Sequence, residues 1–411
     1  MTGLRRQLSL LGTAPGFRLL FLATLGSSLG TLLATVALVV DIKDRTDSGS
    51  WVSALMIVEF LPAVVIGLFF GPLLDRFSRR GLMVASDLTR FVVFCLLPFA
   101  GSAGAIVVLA AVAGFATGFF RPAVYAGLPN LVEERDLGRA NALIQTGENV
   151  SWTVAPVIGG VLVAAWGPDT AYWINAASFL VSALLVLRIQ ATSLQGVLAA
   201  SHGHLRDLGE GIAHVVRTRP LLTVLVVWTI ALGAVASTQV AQIFLAKDAF
   251  DAGDIGYGLI FGAIGLGLAI GSFAAGSWVE RRSVGSVYAA SILLQAIGIA
   301  GAAVAPNVWA SLPCFVLAGI GNGTAVVCNS LLVQRGSPDE LRGRVFTVIM
   351  SINYAVYGLG FVVAGPLTDS VGPRWVFAGV AVVLAATSLL AYALGRGAEQ
   401  GAEHRVRAEA A

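Results

Sequence analysis

Of the 411 residues, 57% are hydrophobic and only 12% are charged, with a net charge of +3 and a mean hydropathy of +0.84. Soluble domains carry about 25% charged residues, so 26 basic and 23 acidic side chains cannot cover the surfaces of two or three soluble domains. A soluble enzyme is excluded, and so small a net charge leaves no footprint for nucleic acid.

The basic segment Met1 to Arg18 runs into an apolar stretch ending near Val40, too long for a signal-peptide core and therefore a retained first span. Further apolar runs follow at Trp51–Leu74, Leu82–Ala100, Gly104–Tyr125, Asn141–Trp166 and Ala171–Leu187. After a polar stretch come Leu221–Phe244, Ile255–Val279, Ser286–Val304, Val308–Leu332, Val345–Leu367 and Trp375–Leu394. With Phe17–Val40 they make twelve predicted transmembrane helices, which need roughly 240 residues at ~20 each. Their Gly and Ala content suits close helix contact in lipid. Cys95, Cys314 and Cys328 are dispersed in these runs, so neither a disulfide framework nor a metal site is expected.

Lysine and arginine alternate between loops. The N-terminal segment, every second loop and the C-terminal tail hold 20 of the 26. The intervening loops hold Lys43, Arg45, Lys247 and Arg374, and Arg90 and Arg121 fall within spans. The positive-inside rule then places both termini in the cytoplasm. The longest interior loop, Arg188 to Pro220, contains Leu205, Leu208, Ile212, Val215 and Val216 on one helical face. It reads as an amphipathic helix at the membrane surface or as a solvated linker. The expected organisation is a six-helix bundle at 1–190, a linker at 191–219, a second bundle at 220–395 and a cytoplasmic tail at 396–411.

Gly71-Pro-Leu-Leu-Asp75-Arg76-Phe-Ser-Arg79-Arg80 follows span 2, and Gly276-Ser-Trp-Val-Glu280-Arg281-Arg282 follows span 8. Both read G-x-x-x-[DE]-R, 205 residues apart, and Arg139 and Arg344 match at the same offset. A duplicated six-helix unit follows, an architecture known among transporters. On these residues the chain resembles the major facilitator superfamily, whose loop 2–3 pattern is G-x-x-x-D-[RK]-x-G-[RK]-[RK]; Ser78 stands where the pattern has Gly. Span 5 is similar to the superfamily's antiporter motif in the spacing of Ala142, Ser151, Ala155, Pro156, Gly159 and Gly160, three of them replacing glycines. Generic small-residue packing is the alternative. Phe119-Phe-Arg121-Pro-Ala, Leu128-Pro-Asn-Leu-Val132 and Ala140-Asn-Ala-Leu143 resemble the branch of siderophore and macrolide exporters. The resemblance implies a gate in which Asp75 and Arg76 engage span 11 and a span-4 charge, for which Arg121 is positioned. Many proton antiporters carry a span-4 arginine where this chain has Gly114.

A charge in hydrocarbon is costly and so marks function by default. Glu59, Asp87, Arg90, Arg121 and Glu148 qualify, all in the first six spans. At 1.5 Å per residue, Glu59 and Arg90 differ by only ~5 Å in depth. Glu59 is therefore either a proton carrier or a structural acid paired with Arg90. Asp87 and Arg90, three residues apart, form either a static ion pair or a relay. Glu148, near Gln145 and Trp152, reads a cationic or hydroxyl-bearing substrate, carries a proton, or serves polar packing. Gln145, Gln239, Gln242, Gln295, Asn322, Asn329, Asn353 and Tyr357 either line a substrate cavity or hydrogen-bond between helices.

Neither lysine completes a phosphate-binding G-x-x-x-x-G-K-[ST] loop. The reading is a secondary transporter of the bacterial inner membrane: no enzyme, no cofactor, a monomer in lipid, with a small-molecule substrate and protons as coupling ion. It exports amphipathic compounds by alternating access. A gradient-driven facilitator or importer is the alternative, and a membrane sensor or enzyme a remote one.

Overall fold

The computed structural model describes residues 9–69, 77–191, 194, 212–337 and 339–409. Among them lie twelve long helices and no strand. They are α1 (Pro15–Thr46), α2 (Gly49–Phe69), α3 (Arg79–Leu96), α4 (Ala103–Gly127), α5 (Leu137–Trp166) and α6 (Pro168–Leu187), then α7 (Arg219–Phe244), α8 (Gly253–Arg281), α9 (Val284–Val304), α10 (Val308–Gly336), α11 (Asp339–Val371) and α12 (Pro373–Glu409). All but α2 contain a stretch long and apolar enough to cross a bilayer; α2 has the shorter apolar stretch Gly49–Pro62 and continues to Phe69. The end expected for span 2, near Leu74, lies outside the described residues.

Local chemistry sets the helix starts. Ser78 caps α3 by accepting the Gly81 N–H, and Ser102 caps α4 by accepting that of Ala105. Ser283 and Asn307 do the same for α9 and α10. A side-chain oxygen thus satisfies a backbone donor that a membrane-embedded helix end cannot leave bare. Gly167, at φ +78°, turns the chain into Pro168 of α6, and Gly372, at φ +81°, turns it into Pro373 of α12. Only glycine adopts that backbone without strain.

The chain divides into two units: Met1–Ala199 with Gly253–Gly262, and Ala200–Ala252 with Ala263–Ala411. In unit 1, α1 packs on α5 and α6, α3 packs on α4 and α6, and α2 packs on α4. In unit 2, α7 packs on α11 and α12, and α9 packs on α10 and α12. Gly267 and Gly271 of α8 lie against Val316 and Ile320 of α10. The pairings are the same, six helices further on.

Large apolar side chains face outward, with Phe273 89% and Val304 79% exposed. Water would make such a surface aggregate, whereas lipid solvates it. The unit interiors combine many large apolar side chains with alanines. Phe17, Met83, Phe120 and Ile144 form an apolar cluster in unit 1; Leu221, Val333 and Val345 form one in unit 2. Val215 joins the second cluster from helical residues 212–217. The rest of the amphipathic stretch expected at Leu205–Val216 lies outside the described residues.

Candidate functional site

Asp87 and Arg90 sit one turn apart on α3, both buried. Arg90 Nη2 donates to Asp87 Oδ1 at 2.6 Å, and Ser182 Oγ of α6 donates to Asp87 Oδ2 at 2.7 Å. The guanidinium is flanked by the Phe120 and Phe179 rings, 4.6 and 4.3 Å from their centroids. Both carboxylate oxygens are occupied and the cation is stacked on two rings, an arrangement suited to holding α3, α4 and α6 together. The alternative pairing of Glu59 with Arg90 does not form, because Asp87 and the two rings hold that guanidinium.

Glu59 lies on α2, three residues before Pro62, half-buried. Among the described residues its carboxylate has no hydrogen bond or ion pair; Tyr257 of α8, itself buried in unit 1, is within electrostatic reach. The backbone of α4 comes close here. A Cβ on Gly114 would stand 2.5 Å from the Val58 carbonyl oxygen and 3.2 Å from Glu59 Cα. The position where many antiporters carry an arginine is therefore a helix crossing with no room for a side chain.

Arg121 of α4 and Glu148 of α5 form a second pair: Arg121 Nη2 donates to the two Glu148 oxygens at 3.2 and 3.0 Å. The sequence placed Arg121 at the gate opposite Asp75; in the structure it engages Glu148, and Asp75 lies outside the described residues. The pair borders an open cavity of about 180 Å³ within unit 1. Thr24, Ser27, Ser28 and Thr31 of α1 line one side, with Arg90, Tyr125 and Trp152 opposite. Thr24 and Thr31 donate to their own helix carbonyls, which leaves hydroxyl oxygens able to accept from a ligand. Gln145 donates to the Tyr125 hydroxyl at 3.3 Å.

Of the remaining gate positions, Gly71 and Arg76 also fall outside the described residues. Arg79 donates to the carbonyls of Ala126 and Leu194 at 2.7 and 2.9 Å, tying the start of α3 to the end of α4. Arg80 is half-buried beside it. Gly276, Glu280 and Arg281 are exposed at the end of α8. In α5, Ala155 is buried and Gly159 meets α1, where an added Cβ would stand 2.9 Å from the Leu33 carbonyl oxygen. Gly160 faces the first turns of α8: its Cβ would come within 2.6 Å of the Asp254 carbonyl oxygen and 3.1 Å of Gly258 Cα. The Pro156 carbonyl in turn would stand 2.6 Å from a Cβ on Gly258.

The polar candidates of unit 2 divide. Asn353 accepts from Thr229 at 2.8 Å, a bond between α11 and α7. Gln295 packs buried where Gly321 of α10 crosses its backbone. The Asn353 side chain thus joins two helices. Buried Gln242 Nε2, Asn329 Oδ1 and Asn353 Nδ2 have no hydrogen-bond partner among the described residues. Gln239 and Asn322 are half-buried, and Tyr357 meets Phe361 edge-on at 4.8 Å.

One charged cluster escaped the sequence reading. Hydropathy ends span 1 at Val40, yet α1 continues six residues further and carries Asp41 and Lys43 into buried positions. Tyr172 of α6 and Arg45 donate to Asp41 at 3.0 and 2.6 Å, and Arg45 also reaches the Ala100 carbonyl at 3.0 Å. Lys43 pairs with Asp47. The available signal was spacing: Asp41 and Arg45 lie i,i+4 in phase with the preceding helix.

Residues 12–405 match the family described as transmembrane secretion effector. The multidrug efflux pump Tap of Mycobacterium tuberculosis is 28% identical over 398 residues, covering 92% of this chain and 93% of that protein. Macrolide efflux protein A of Streptococcus pyogenes is 21% identical over 361 residues, 84% of this chain and 87% of that protein. Among solved structures, the nucleoside transporter NupG superposes with a TM-score of 0.76 at 14% identity, covering 92% of this chain and 99% of its own. A bacterial homologue of ferroportin does so at 0.72 and 16%, covering 93% and 98%. These likenesses show the fold, as the repeated pairing of six helices already does. With its match from residue 12 to 405, the chain belongs to the transmembrane secretion effector family of the major facilitator superfamily, as a multi-pass membrane transporter.

Proposed function

We propose that this chain exports amphipathic small molecules from the bacterial cytoplasm by alternating access, driven by proton entry, with Glu59 as the proton carrier. One observation carries the coupling assignment. Among the acids within α1 to α5, Asp41 is held by Arg45, Asp87 by Arg90 and Glu148 by Arg121, while Glu59 has no cationic partner among the described residues. An acid without a fixed counter-charge can alternate between protonated and ionised forms as its access to water alternates.

The substrate class rests on the unit 1 cavity and on the relatives. Hydroxyl oxygens, the Arg121–Glu148 pair and Trp152 offer polar contacts within a mainly apolar wall. Two relatives named for multidrug and macrolide efflux match nearly end to end. The arginine distribution supports cytoplasmic termini, and the chain acts as a monomer without a cofactor.

The test uses purified full-length protein in proteoliposomes with an imposed pH gradient and a fluorescent cationic or macrolide substrate. Glu59→Gln is expected to abolish gradient-driven accumulation while substrate exchange down its own gradient persists. Accumulation in Glu59→Gln at the unmutated rate would remove Glu59 from the mechanism. Flux in the unmutated protein that ignores the pH gradient would replace antiport with facilitated movement.

A further inference from the structure

Unit 2 contains a second cavity, of about 450 Å³, beside the repeated gate motif at the end of α8 and apart from the proposed proton and substrate sites. It is bounded by the end of α8, the first turns of α9 and Thr324 of α10. Arg281, Arg282 and Trp278 stand at one end, and Val287, Ala290 and Leu294 continue from it along α9. From Val287 to Leu294 the wall runs about 10 Å along the helix. Arg281 and Arg282 are exposed, and among the described residues neither makes an ion pair or a side-chain hydrogen bond, not even with adjacent Glu280. The positive end of the α9 dipole opens beside them, its Ser283 cap bonded to the Ser286 N–H and hydroxyl.

Elsewhere, Arg79 at the start of α3 directs its guanidinium into two backbone carbonyls and is not available to a ligand. Two unpaired guanidiniums above an apolar wall form a site for an amphipathic anion. Trp278 beside them is of the residue type enriched at membrane interfaces, and basic pockets between membrane helices there hold anionic headgroups.

We propose that this cavity binds an anionic phospholipid, its phosphate between Arg281 and Arg282 and an acyl chain along Val287, Ala290 and Leu294. Free phosphate shares the headgroup chemistry but would make no use of the apolar wall. The full-length protein is exchanged into phosphatidylcholine nanodiscs with and without phosphatidylglycerol, and retained lipids are counted by native mass spectrometry. The unmutated protein is expected to retain one phosphatidylglycerol more than Arg281→Gln/Arg282→Gln, with at least about tenfold tighter apparent binding. Leu294→Gln is expected to weaken lipid retention as well, and Arg135→Gln, an exposed arginine of unit 1, to leave it unchanged. If the double variant melts early, Arg282→Gln alone gives the comparison.

Equal retention in the unmutated and arginine variants overturns the site. Protection of Arg281 and Arg282 from guanidinium-directed labelling by millimolar inorganic phosphate in phosphatidylcholine discs, with no added effect of phosphatidylglycerol, overturns the lipid assignment. Loss of retention in the arginine variants but not in Leu294→Gln overturns the placement of the acyl chain.

Discussion

Asp87 and Glu59 carry the same functional group in the same unit, in contrasting surroundings. Asp87 neutralises a buried guanidinium, so Asp87→Asn leaves Arg90 charged and uncompensated between two rings. Removing one partner of a buried pair costs about 3–5 kcal/mol. The variant is expected to melt well below the parent in detergent and to be recovered in low yield. Glu59→Gln removes no partner from any cation and is expected to melt at or above the parent. Equal melting of the two variants would contradict this division. Sequence alone proposed both acids as coupling candidates, because a span reveals that an acid is costly but not what lies opposite. The Ser182 hydroxyl that completes Asp87 comes from a helix 95 residues later. The same limit hid Asp41: its helical phase with Arg45 was legible, but its burial depends on Tyr172. Tyr172→Phe removes one of its donors and is expected to cost about 1–3 kcal/mol in thermal unfolding. An unchanged melting curve would show that the bond does not contribute.

Helix crossings explain why small residues recur at fixed spacing. The span-5 pattern was readable as a run of small residues around Pro156, but its partners were not. One face, at Gly159, meets α1, while Gly160 and the Pro156 carbonyl meet the beginning of α8 within unit 1. The contact is backbone to backbone, so even one methyl group has to displace a helix. Overpacking of this kind costs about 1–3 kcal/mol. Gly160→Ala is expected to slow transport and lower the melting temperature, and Gly160→Val to do both more severely. Ala155→Gly, on the same helix, should do neither to a comparable extent. Transport at the parent rate in Gly160→Val would mean that α5 and α8 do not need this approach. Gly114 obeys the same logic at the α2–α4 crossing, which leaves no room for the span-4 arginine that many antiporters carry.

Duplication is the most legible property of the whole chain. The loop motifs already showed an offset of 205 residues, and the helix boundaries obey it too. Ser78 and Ser283, Ser102 and Asn307, and the left-handed Gly167 and Gly372 are each one offset apart. Caps and turns persist because a helix end in or near lipid has few ways to satisfy its backbone, whereas the intramembrane charges, confined to the first copy, were free to diverge. The same duplication makes membrane orientation testable, since both copies must present corresponding loops to corresponding sides. In a background with Cys95, Cys314 and Cys328 replaced by alanine, single cysteines are placed at Arg135 and Arg282, and at Asp169 and Asp251. All four positions end or flank helices, and the arginine distribution assigns the first two to the cytoplasm and the last two to the outside. In intact cells a membrane-impermeant maleimide is expected to label Asp169→Cys and Asp251→Cys and to spare the other two until the membrane is permeabilised. The reverse pattern would invert the protein in the membrane and, with it, the direction of proposed transport. Labelling of one copy's loops from the side opposite to its counterpart would break the parallel duplication itself.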